Sequence, residues 1–130
     1  MAEVVLVKEA LTPEMMAAGR ALIDALDGKG WPPTSAFWFF DVEQSCWRLI
    51  LSSPDVQNSG SRHAYELVSS ILSEQSEPSL TLSDISIVPP RNDLVKLLSF
   101  AVSTGGVIPG IRFSRNTING RYISDAYVYR

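Results

Sequence analysis

Five side chains near the C-terminus bring together the residue types best suited to gripping an anionic or aromatic ligand: Arg112, Arg115, Arg121, Tyr127 and Tyr129. Guanidinium groups hold phosphates and carboxylates as a planar fork, and phenol rings stack on bases or fill apolar pockets. Their spacing places them on one hairpin. Asn119-Gly120 favours a two-residue type I′ turn, because both central positions of that turn need positive φ. Ile118 then pairs with Arg121, Ser114 with Asp125, Phe113 with Ala126 and Arg112 with Tyr127. One face carries Ile111, Phe113, Ala126 and Val128 and is expected to meet the core. The other carries Arg112, Ser114, Asp125, Tyr127 and Tyr129, and is expected to be half solvated, with Arg112 diagonal to Asp125. Arg115 and Arg121 fall nearer the turn.

Such a face supports two kinds of partner. Tyr and Arg enrichment describes a protein interface. The same residues suit RNA or single-stranded DNA, although no recognised nucleic-acid motif is present and the chain is acidic overall, with net charge −3. A sheet face with no ligand is the plain alternative. A third chemistry rests on His63, the one side chain whose ordinary pKa lies near neutrality. It is expected in the first turn of a helix beside Arg62, a setting that suits the general base of a small hydrolase or nuclease. No G-x-S-x-G elbow accompanies it, and a solvated histidine without a catalytic role is the simpler reading.

No cofactor or metal is expected. A single cysteine, Cys46, and a single histidine exclude an intrachain disulfide and the common zinc ligand sets. No acidic spacing resembles a calcium loop, and no glycine pattern of the Walker or Rossmann kind occurs. Asp41 and Glu43 read as turn residues, and Cys46 as a small buried hydrophobe. No apolar run approaches the ~20 residues of a membrane span, and the N-terminus lacks a secretory signal. The expected compartment is the cytoplasm.

The charge is unevenly divided. Residues 1–90 hold five Lys/Arg against twelve Asp/Glu, whereas residues 91–130 hold six against two. The halves are expected to pair within the molecule, or the basic part to attract a partner.

The element that must organise all this is Ala36 to Ser53, AFWFFDVEQSCWRLILSS, two apolar runs around a polar turn. It reads as a core hairpin whose first strand is apolar on both faces, and is therefore central and covered on both sides or lends an aromatic face to a partner. Before it, Val4 to Val7 reads as an edge strand or a lead-in. Thr12-Pro13-Glu14 starts a helix running to about Asp27, with Leu11, Met15, Ala18, Leu22 and Leu26 as its stripe and Gly28 or Gly30 at its end. After Pro54, residues 55–61 read as a polar loop, and Ser61 is expected to cap a helix buried through Ala64, Leu67, Val68, Ile71 and Leu72. Glu74 to Ser79 reads as a solvated link, and Leu80 to Val88 as a strand stopped by Pro89-Pro90. Asn92 or Asp93 caps a third helix with Leu94, Leu97, Leu98, Ala101 and Val102 inward, ended by Gly105-Gly106.

The expected fold is one α+β domain over residues 1–130, ordered α-β-β-α-β-α-β-β. An antiparallel or mixed sheet of about five strands carries helices packed mainly on one face. The expected function is that of a non-enzymatic binding or accessory module acting through protein contacts, with the aromatic or the C-terminal hairpin as interface. A homodimer through sheet pairing or face packing fits the same pattern.

Overall fold

The first helix, α1 (Pro13–Gly28), begins as its sequence dictates. The Thr12 hydroxyl accepts from Met15 N at 3.1 Å, and Pro13 takes the position where a missing N–H costs nothing. Gly30, at φ +81°, turns the chain out after the last helical residues. The aromatic hairpin follows as β1 (Ser35–Asp41) and β2 (Cys46–Ser52). Asp41 Oδ1 accepts from Glu43 N and Gln44 N and so builds the turn from its own side chain. This computed structural model describes residues 10–74, 80–105, 109–118 and 121–130, and the backbone alone of 113–118, 121, 122 and 124. The Val4 to Val7 patch, most of the Glu74 to Ser79 link, Gly106 and the Asn119-Gly120 turn lie outside the described residues.

Residues 55–61, read as a loop, are mostly helical. A short helix α2 (Pro54–Ser59) precedes α3 (Arg62–Ser73). Ser53-Pro54-Asp55 repeats the cap, proline and acid of Thr12-Pro13-Glu14, and the Ser53 hydroxyl accepts from Asp55 N. With α2 running directly into α3, Ser61 sits at the start of α3 in helical backbone and makes no side-chain cap bond. The strand expected over Leu80 to Val88 is shorter. Thr81 and Asp84 form a capping box around a 3₁₀ turn (Leu82–Asp84), so only β3 (Ile85–Val88) is extended. The helix α4 (Asp93–Ser103) is capped by Asn92 Oδ1, which accepts from Leu94 N and Val95 N. Val95, absent from the expected stripe, is one of its three buried residues.

The sheet is mixed. It runs β3-β2-β1-β5, with β4 (Arg112–Ile118) hydrogen-bonded outside β5 (Arg121–Val128). β2 and β3 are parallel, and the crossover such a pair requires is supplied by α2 and α3. The other pairings are antiparallel, and the hairpin register is the expected one, with Arg112 opposite Tyr127 and Ile118 opposite Arg121. β1 is central.

Helices cover the sheet unequally. On one face Leu22, Ile23 and Leu26 of α1 and Val68 and Ile71 of α3 bury Trp38, Leu49, Leu51 and Ile85. Each such side chain contributes roughly 1.5–3 kcal/mol by leaving water. On the opposite face α4 alone buries Phe37, Ile50 and Val128 through Val95, Leu98 and Ala101. The doubly apolar β1 is thus explained by cover on both sides. Among the described residues no helix is long and apolar enough to cross a membrane.

Candidate functional site

The expected polar face of the C-terminal hairpin is not an open sheet face. Trp38 pairs with Tyr127, so Tyr127, Arg112 and Asp125 project from the side that α1 covers. Helix α1 comes close enough to reach them because residue 19 is glycine. A Cβ there would stand 3.0 Å from Tyr129 Cζ and 3.1 Å from Trp38 Nε1. The Tyr129 hydroxyl fills the space, accepting from Trp38 Nε1 at 3.0 Å and donating to Met16 O at 2.6 Å. Burial pushes its pKa up to about 12, against a smaller opposing pull from the Trp38 donor. Tyr129 is therefore a fixed, protonated strut between helix and sheet rather than a proton donor at neutral pH.

Arg112 is committed too. Its Nε and Nη2 donate to the two carboxylate oxygens of Asp125, at 3.0 and 2.6 Å, which realises the expected diagonal pair as a bidentate one. Its Cζ lies 5.3 Å from the centre of the Trp47 ring, and Trp47 meets Phe40 edge-on at 5.4 Å. The Asp125 hydrogen bonds raise the Arg112 pKa above its usual value. Asp125 is buried, at 6% exposure, so this pair closes the end of the core instead of presenting a free cation. The other C-terminal arginine in the described set, Arg130, grips Asp27 through both terminal nitrogens, which joins the basic and acidic parts of the chain within one molecule.

What the hairpin offers a partner is a groove beside it. Met16, Ala17 and Arg20 of α1 face Pro109, Gly110, Tyr127 and Tyr129 across about 450 Å³. The two tyrosine rings meet edge-on at 5.1 Å along it. Arg20 is well exposed and makes only a 3.6 Å contact with Asp24, one turn along. Ile111, expected in the core, is 55% exposed where β4 begins. Gly110 N donates to Val128 O at 2.7 Å, which continues the hairpin pairing past the start of β4. The groove thus combines aromatic rings, an apolar wall and an exposed arginine. It suits recognition and holds no group poised for acid–base work.

The remaining candidates lie elsewhere. The side chains of Arg115 and Arg121 are outside the described residues, although β4 and β5 carry both positions. His63 is exposed and lines a separate groove with Gly30, Trp31, Pro32, Thr34, Ser53, Pro54 and Asp55, sharing no residue with the first. Asp55 there accepts from Trp31 Nε1 at 3.1 Å, so its carboxylate serves the α1 to β1 connection. Among the described residues no group of three potential ligands is arranged to hold a metal ion. Cys46 is half buried at the start of β2. Phe37, Trp38, Phe40 and Trp47 are buried within the chain, while Phe39 is half-buried and Val42 exposed.

Sequence reasoning did not find Met16, Ala17 or Arg20, because nothing local says which helix crosses which hairpin. A signal was present in Gly19, since a glycine inside a helical pattern marks a close approach. Comparison of the chain with protein-family models, with curated proteins and with solved structures finds no match.

Proposed function

We propose that this chain is a non-catalytic module that binds an extended protein segment along β4 and in the adjoining groove between α1 and the C-terminal hairpin. The observation that carries this reading is the contrast between the two sheet edges. β3 is four residues long, and its Ile87 N–H is already bonded to the Tyr65 hydroxyl at 3.0 Å. β4 is seven residues long and lies outermost, and Pro109 and Gly110 just before it line the groove. An added strand gains main-chain hydrogen bonds at such an edge, and a neighbouring pocket that takes one of its side chains supplies selectivity. Arg20 favours an acidic residue in that segment, and the tyrosines favour an apolar or aromatic one.

The test is selection of random twelve-residue peptides on the folded chain, followed by fluorescence titration of the enriched sequences. Arg20 and Ile111 are both exposed, so Arg20→Glu and Ile111→Asp leave the core intact. The expected result is enrichment of extended acidic and apolar sequences whose affinity falls at least tenfold in the double variant. Enriched peptides that bind the double variant as well as the parent refute the site, and the absence of any enrichment refutes the binding mode.

A further inference from the structure

On the face of the sheet opposite that groove, α4 does not close fully onto β1 and β5. A cavity of about 230 Å³ remains, lined by the apolar Phe37, Leu98, Val102 and Val128 and the polar Thr34, Ser35, Ser99, Ser103 and Arg130. An apolar cavity of about 150 Å³ is enough for a benzene ring, so this one takes a ring or a short branched chain together with a small polar head. Ser35 Oγ lies 3.3 Å from Ser99 Oγ, a long contact that either hydroxyl can give up. Behind this lining, Ser52, the register partner of Ser35 on the same face, buries a hydroxyl with no hydrogen-bond partner among the described residues. Arg130 uses three of its five N–H donors on Asp27 and on Pro33 O, which leaves two without a partner among the described residues.

An apolar wall together with hydroxyls and a guanidinium is complementary to a compact apolar body that ends in an anion. We propose that this cavity is a binding site for a small monocarboxylate of phenylacetate size. The ring or branched chain lies against Phe37, Leu98 and Val128, and the carboxylate meets the free N–H donors of Arg130 and the hydroxyls of Ser35 and Ser99. Asp27 competes for the same guanidinium from the solvent side, so its loss strengthens the site.

The experiment is a titration of the full chain with phenylacetate, 3-phenylpropionate and their neutral amides, followed by backbone amide chemical shifts. Saturable shifts are expected at Phe37, Ser99, Val102 and Val128 with the acids, at least tenfold weaker with the amides. Arg130→Gln, at the half-exposed last residue, should weaken the acids at least tenfold and leave the amides unchanged. Asp27→Asn should tighten the acids at least twofold, and Ser103→Trp at the exposed rim should abolish both. Four results overturn the proposal: no saturable shift with any acid, equal affinity for acid and amide, acid binding unaffected by Arg130→Gln, or shifts that survive Ser103→Trp. The β4 groove contributes none of these residues, so the outcome is independent of peptide binding.

Discussion

Replacing Tyr129 by Phe removes a single oxygen yet breaks the link between α1 and the sheet. The hydroxyl accepts from Trp38 Nε1 at 3.0 Å and donates to Met16 O at 2.6 Å. Trp38 is 1% exposed, so without that oxygen its indole N–H is stranded where water does not reach it. A buried donor left unpaired costs about 1–3 kcal/mol, and the lost bond to Met16 adds about 1 kcal/mol. The expected destabilisation is about 2–4 kcal/mol. With a denaturant slope of about 2 kcal/mol per M for a chain of this size, the urea midpoint falls by about 1–2 M. Tryptophan fluorescence and far-ultraviolet circular dichroism should show the same shift.

The effect carries its own pH signature. The pKa of Tyr129 is raised by burial from its ordinary value of 10.0 to about 12, so the folded state holds the proton more tightly than the unfolded one. Its contribution is complete below pH 10 and is lost as pH rises through 12. The gap in stability between the parent and Tyr129→Phe should be constant up to pH 10 and then shrink by about 1–2 kcal/mol, allowing for the residual exposure of the ring. A loss under about 0.5 kcal/mol at neutral pH, or a gap that widens above pH 10, refutes the strut.

Gly19→Ala should destabilise the fold by about 1–3 kcal/mol in thermal unfolding, because its Cβ meets Tyr129 and Trp38 at 3.0–3.1 Å. In an ordinary helix interior the same change stabilises by about 1 kcal/mol, so the sign alone decides. Arg112→Ala should cost about 1–2 kcal/mol in urea, a figure discounted for the half-exposed guanidinium, by stripping Asp125 of its bidentate donor. Arg112→Lys should recover less than half, since an ammonium cannot fork onto the carboxylate. Asn92→Ala should cost about 1 kcal/mol and speed hydrogen exchange at Leu94 and Val95, whose N–H groups it caps.

Local chemistry was legible in the chain itself. Thr12-Pro13, Asn92 and the glycines at 30 and 105 marked helix ends, since caps and left-handed residues depend only on neighbours a few positions away. The register of the C-terminal hairpin followed from counting back from Asn119-Gly120, and with it the pairing of Arg112 with Asp125. The apolar aromatic run announced a central strand. The short helix α2 was obscured by its mostly polar six residues, of which only Val56 is buried, although Ser53-Pro54-Asp55 carried the same start signal as α1. What no local pattern could supply was which layer meets which. Period-two alternation sorts the hairpin into two faces but does not say that α1 covers the one bearing Tyr127 and Tyr129 while α4 covers the other. Only the crossover through α2 and α3, which sets β3 parallel to β2 and sends α4 to the far side, made that assignment. It turned an expected open face into a groove, an exposed arginine into the partner of a buried carboxylate, and a tyrosine at the chain end into the bond that holds the first helix.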